Sequence, residues 1–162
     1  MVSSEPNKEE IFDLIRKKWV VASPEEKVRQ SLLHLMIKEL FFPKELLSVE
    51  KAIREIPSVK SSGLLPPDRR VDLVCFARGI HPNFLLYPLL IIECKESIEM
   101  KNEAKQQVIG YNHFIKACFV AIAYPEGVEW GYFDTKSQSY QFREGLPSYL
   151  KLFQAVSRAD AT

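Results

Sequence analysis

Apolar positions change their period along the chain, and each change marks a predicted element. Ile11, Leu14, Ile15 and Trp19 recur at helical spacing and predict a short helix from Lys8 to Lys18. A second helix opens at Ser23-Pro24-Glu25-Glu26, which offers a serine N-cap, a proline at the first helical position and a glutamate three residues after the cap. Val28, Leu32, Leu35, Met36 and Leu40 extend it as an apolar stripe, and Pro43 lies just past its end. Three strands are predicted next: Leu46 to Ile53, Arg70 to Ala77 and Pro88 to Lys95. The unbroken Leu89-Leu90-Ile91-Ile92 core of the third reads as buried on both faces. Lys60 to Pro67, with Ser61-Ser62-Gly63 and Pro66-Pro67, reads as a loop. A helix from Ile98 to Lys116 leads into an apolar strand from Ala117 to Tyr124, the pattern of a right-handed crossover and a parallel strand pair. Val128 to Phe133 and Ser139 to Phe142 read as two edge strands joined by the polar turn Asp134 to Gln138. A closing helix is predicted around Pro147 to Ala155.

This order predicts a mixed α/β domain, a mixed β-sheet flanked by helices. The expected organisation is an N-terminal extension with a short helix (1–22), one domain (23–156) and a tail (157–162). Residues 1–7 and the tail carry no periodic pattern and are expected to be loose.

Composition narrows the class. The chain has 162 residues, 46% hydrophobic and 27% charged, the range of a globular domain that needs no staples. No apolar run approaches the roughly 20 residues of a membrane span. The opening MVSSEPNKEE is polar and acidic, unlike a secretory signal. Cys75, Cys94 and Cys118 lie in apolar runs without paired spacing. They are expected to be buried reduced thiols in a cytoplasmic protein, with no zinc site. The net charge of +1 gives no general basic excess, so a nucleic-acid groove would have to be local. Arg69, Arg70, Lys95, Lys101 and Lys105 are the candidates for it.

The chemistry concentrates in Val71-Asp72-Leu73-Val74 and Ile92-Glu93-Cys94-Lys95, where charge interrupts two apolar strands. Burying an unpaired carboxylate is costly. Alternation puts Glu93 and Lys95 on one side and Cys94 on the other. The midpoint between Asp72 and Glu93 falls between Pro82 and Asn83, inside the turn-rich Gly79-Ile80-His81-Pro82-Asn83. An antiparallel hairpin about that point sets Asp72 opposite Glu93. Two like charges so placed call for a hard divalent cation, most simply Mg²⁺, with Mn²⁺ as a substitute and the Cys94 backbone carbonyl as a further ligand. Lys95 could then stabilise charge on a phosphoryl group or help orient and deprotonate a water. A structural salt bridge among the three residues is the competing reading.

Further matches accompany this set: Pro24-Glu25-Glu26-Lys27-Val28-Arg29-Gln30, Pro43-Lys44-Glu45-Leu46, Arg69-Arg70-Val71-Asp72-Leu73-Val74, Leu90-Ile91-Ile92-Glu93-Cys94-Lys95 and Gln107-Val108-Ile109-Gly110-Tyr111-Asn112. Together they resemble the N-terminal nuclease domain of type I restriction enzyme R subunits, within the PD-(D/E)XK nuclease superfamily. The resemblance implies a restriction-endonuclease-like core of order αβββαβ. It also implies Asp72 and Glu93 as metal-binding carboxylates, Lys95 as the catalytic lysine and Glu26 as an accessory glutamate reaching the metal or its waters. Gln107 and Tyr111 match a Q-x-x-x-Y element that borders the site and helps position DNA. Arg29 and Gln30 are candidate DNA-binding or site-supporting groups. Each of these has a structural alternative: a capping box for Glu26, helix packing for Gln107 and Tyr111, and a solvated face for Arg29 and Gln30. His81 is expected to face solvent, and His34 and His113 to be structural.

Two departures stand out. Val71 occupies the place of the superfamily's proline, and no P-loop is present. The expected function is a metal-dependent deoxyribonuclease without the motor, acting alone or with a separately encoded motor or specificity subunit. The alternatives are a nuclease-fold DNA-binding or assembly module that does not cut, and a small enzyme unrelated to DNA.

Overall fold

The structure, a computed structural model, describes residues 8–160 and the side chains of residues 8–157. The expectations for residues 1–7 and 161–162 lie outside the described residues. The described chain opens with an antiparallel hairpin of β1 (Glu10–Asp13) and β2 (Lys18–Val21), where the spacing predicted a helix. Asp13 accounts for the difference. Its carboxylate accepts the N–H groups of Ile15 and Arg16, each at 2.8 Å, and Lys17 takes a left-handed φ of 55°. A short acid that captures the following N–H groups closes a turn instead of propagating a helix.

Helix α1 (Pro24–Lys38) starts where expected, with Ser23 Oγ accepting the Glu26 N–H at 3.1 Å. Then come β3 (Leu47–Ala52), α2 (Pro57–Ser62), β4 (Arg70–Arg78) and β5 (Leu86–Cys94). The chain closes with α3 (Lys101–Ile115), β6 (Phe119–Tyr124), β7 (Gly127–Asp134), β8 (Ser139–Glu144) and α4 (Tyr149–Asp160). Helix α2 takes Lys60 to Ser62 out of the expected loop, with Pro57 in its first turn and Gly63 ending it at a φ of 74°. Helix α4 continues to Asp160, beyond the point where a loose tail was expected.

Strands β3 to β8 form one mixed sheet in sequence order. Every neighbouring pair is antiparallel except β5 and β6, which run parallel and are joined through α3. Strand β7 pairs on both sides, so it is interior and only β8 of those two lies at an edge. Alternation divides the core. Leu73, Leu90, Ile92 and Ala121 pack with α1 and α4, while Val74, Ile91, Val120 and Ile122 pack with α2 and α3. The result is the expected mixed α/β sheet flanked by helices. Among the described residues no helix is long and apolar enough to cross a membrane.

The β4–β5 register decides where charge meets charge. It runs from Arg78↔Leu86 to Leu73↔Ile92, with a bulge between Cys75 and Phe76. Phe76 faces Pro88, which has no N–H to give a central ladder, and the bulge accommodates it. Past the bulge, the facing residues continue as Cys75↔Leu90, Val74↔Ile91 and Leu73↔Ile92. The next facing positions are Asp72 and Glu93.

Candidate active site

At that strand end the backbone turns from its partner strand to side chains. The Asp72 N–H donates to Glu93 Oε1 at 3.1 Å, and the Cys94 N–H donates to Asp72 Oδ2 at 2.7 Å. The two acids are only 9% and 4% exposed. Lys95 follows immediately. Its backbone N–H is held by the Ala123 carbonyl at 2.8 Å, and its ammonium lies 3.9 Å from Glu103 of α3. Asp72, Glu93 and Lys95 are therefore brought together at one end of the two central strands. Burial, and then the Asp72 charge, push the Glu93 carboxyl up to about 9, with Lys95 opposing. Glu93 therefore ionises less readily here than a solvated carboxyl does.

Helix α1 closes the site from one face. Arg29 Nη2 donates to Asp72 Oδ1 at 3.0 Å. Burial works against the Arg29 charge, but Asp72 and Glu26 hold the guanidinium above its ordinary value. Glu26 is clamped: Arg16 donates to Oε1, Arg29 to Oε2, and Gln30 reaches Oε1 at 3.3 Å. The capping box is half made, because Ser23 accepts the Glu26 N–H while its own N–H goes to the Val21 carbonyl. Arg29 and Gln30 are 4% and 1% exposed, so neither forms a solvated face. Gln30 spans to the hairpin by donating to Asp13 Oδ2 at 3.0 Å.

Two participants were not singled out from the sequence. Glu25 is half-exposed and 3.8 Å from Arg29; burial and the Asp72 charge raise its carboxyl, with Arg29 and Lys95 opposing. It stands one helical position from Glu26, a rotation of about 100° that spacing alone does not resolve. Arg16 ties the hairpin to Asp13, Glu26 and Glu50. A helix over Lys8 to Lys18 hides that role, because only the turn aims Arg16 at α1.

Helix α3 borders the site from the other face. Gln107 Nε2 donates to the Tyr111 hydroxyl at 2.9 Å. Burial raises the Tyr111 hydroxyl; Gln107 opposes, and the charges of Glu93 and Asp72 add to the rise. Both Q-x-x-x-Y side chains thus meet each other beside the acids. The expected basic groove is smaller than its list of candidates. Lys101 and Lys105 are engaged by the buried Glu129 of β7 at 3.8 and 3.2 Å, while Arg69 and Arg70 are exposed. His81 stays partly exposed in the turn, where it stacks on Tyr87 with ring centroids 4.7 Å apart. Cys75 and Cys94 are buried as expected, whereas Cys118, just before β6, is half-buried.

The donor chemistry fits a hard divalent cation. Asp72 and Glu93 offer carboxylate oxygen, and the Cys94 carbonyl belongs to the same strand end. Among the described residues no three His, Cys, Asp or Glu side chains form a ligand group by themselves. An ion here would draw on two carboxylates, main-chain oxygen and water, which is the usual manner of Mg²⁺.

Residues 24–147 match the protein family described as type I restriction enzyme R protein N terminus. No curated protein and no solved structure matches the chain. The hairpin lies outside the matched span.

Proposed function

We propose, given that the chain belongs to the type I restriction enzyme R protein N-terminal family, that it is a metal-dependent deoxyribonuclease of PD-(D/E)XK type. The observation that carries this reading is the convergence of Asp72, Glu93 and Lys95 at one sheet end, where Glu93 is driven toward protonation by its own burial and its acidic neighbour. Asp72, Glu93 and the Cys94 carbonyl would hold Mg²⁺, or Mn²⁺ in its place. When bound, that ion supplies Lewis-acid polarisation of a phosphoryl oxygen and a lowered pKa for coordinated water.

The chain's own groups supply the rest. The Lys95 ammonium orients the attacking water and offsets charge gathering on the phosphate. Glu25, half-exposed with Asp72 and Lys95 among its charged neighbours, would contact that water. Tyr111 and Gln107 line the approach of the DNA, and the exposed Arg69 near Tyr111 is available to a backbone phosphate. Glu26, held between the Arg16 and Arg29 guanidinium groups, serves as support for this site. Separately encoded motor or specificity subunits and the cytoplasm are the setting this reading implies.

Purified protein with Mg²⁺ or Mn²⁺ is expected to nick supercoiled plasmid. Asp72→Asn and Lys95→Ala should fold and lose about a hundredfold or more of that activity. Cutting at the wild-type rate by either variant would remove the assignment. One observation favours a second reading: Arg29 already balances the Asp72 charge at 3.0 Å, as a non-cutting DNA-binding or assembly module would require. Calorimetric titration with Mg²⁺ separates the two, since the non-cutting module takes up no ion at this site.

A further inference from the structure

The N-terminal hairpin sends a guanidinium into the cluster that orients the candidate metal-binding acid. Arg16 reaches three acids at once: its Nε lies 2.6 Å from Asp13 Oδ2, its Nη1 3.1 Å from Glu50 Oε2, and its Nη2 contacts Glu26 Oε1. Glu26 passes the connection to Arg29, and Arg29 holds Asp72 Oδ1 at 3.0 Å. Gln30 braces the line by donating to both Asp13 and Glu26. Asp13 is fully buried. Burial would raise its carboxyl, yet hydrogen bonds from Arg16 and Ile15 hold it below the ordinary carboxylate value. The Asp13 carboxylate therefore keeps its charge, and its bonds from Arg16 are charge-assisted.

We propose that Arg16 is a positioning residue that fixes the Asp72 carboxylate through Glu26 and Arg29. The hairpin outside the family-matching span then belongs to the site's machinery. The proposal rests on the reading of Asp72 as a metal ligand. The physics is orientational. Asp72 is gripped from two elements, at Oδ2 by the Cys94 N–H of β5 and at Oδ1 by Arg29 of α1. Arg29 also faces Glu25 at 3.8 Å and Glu50 at 3.7 Å, and the contact between Arg16 and Glu26 decides which carboxylates it answers. A planar five-donor fork can bridge three carboxylates in fixed directions, whereas an ammonium cannot. Groups that orient a ligand typically influence metal affinity by 10- to 100-fold.

The charge-conserving variant Arg16→Lys isolates orientation from charge. Calorimetric titration with Mn²⁺ alone is expected to show a dissociation constant at least about tenfold weaker than wild type. Affinity for duplex DNA in EDTA at low salt should be unchanged. Lys27→Ala is the control. It breaks a separate link from α1 to the start of the hairpin, the Lys27–Glu9 pair at 3.1 Å, without touching the cluster, and should leave Mn²⁺ affinity at the wild-type value. Glu26→Asp keeps charge while shortening the middle link, and is expected to weaken Mn²⁺ as Arg16→Lys does. If Arg16→Lys or Glu26→Asp folds and binds Mn²⁺ like wild type, the positioning role is overturned while the nuclease reading stands. If wild type binds no Mn²⁺, the nuclease reading itself fails. Failure of both variants to fold would make the cluster a folding element, and would also overturn the proposal.

Discussion

Glu93 concentrates the physical tension of the molecule. Its carboxyl sits among apolar strand residues, 4% exposed, and accepts the N–H of the acid that repels it. Burial and then Asp72 raise its pKa from 4.5 to about 9. The sign of the resulting pH dependence follows directly. A group whose folded pKa lies above its unfolded value contributes stability that is complete below the unfolded pKa and is lost as pH rises to the folded one. In EDTA, the wild-type melting temperature should therefore fall relative to that of Glu93→Gln as pH rises from about 5 to 9. The amide variant cannot ionise and should be the more stable of the two at pH 8. Thermal melts across this range check it; parallel curves would mean that Glu93 is already ionised in the fold.

Among the elements, the central strands and α1 were legible because their signals are local. A serine cap followed by proline places the start of α1, and the continuous apolar run of β5 has one reasonable use, a strand covered on both faces. The hairpin register was also legible: the turn-rich stretch centres on the midpoint of Asp72 and Glu93, and the ladder up to Leu73↔Ile92 leads to that pairing. The β1–β2 hairpin was not legible. Ile11, Leu14, Ile15 and Trp19 satisfy helical spacing, and the competing signal is one aspartate whose use appears only when α1 is present to bury it. The interior position of β7 was hidden because its second partner, β6, shows only in the folded sheet; the expected pairing with β8 needs a small group at the crossing. Gly131 lies opposite Phe142, and a Cβ added there would come 2.9 Å from the Gln141 carbonyl oxygen and 3.0 Å from the Phe142 ring. Backbone cannot give way as a flexible side chain does. Gly131→Ala should consequently destabilise the protein by about 1–3 kcal/mol, measured by denaturant unfolding. An unchanged midpoint would show that β8 can shift away.

At the scale of the molecule, the candidate site exists only in the folded chain. Its groups come from β4, β5, α1 and α3, and the cluster that braces it begins in the hairpin at Asp13. An unfolded chain offers no such convergence, so an ion held by Asp72 and Glu93 binds the native state selectively. Mass action then couples binding to stability: an ion at a hundred times its dissociation constant adds about 2.7 kcal/mol. The wild-type melting temperature at pH 8 should therefore climb steadily with the logarithm of Mg²⁺ concentration once that constant is passed. The double variant Asp72→Asn, Glu93→Gln presents no carboxylate at the strand end, and its melting temperature should not respond to Mg²⁺. Scanning calorimetry at constant ionic strength makes the comparison clean, because surface charges are then screened alike in every sample. A double variant that still gained stability with Mg²⁺ would place the ion elsewhere on the protein. The acids between β4 and β5 would then need another reason to be held together.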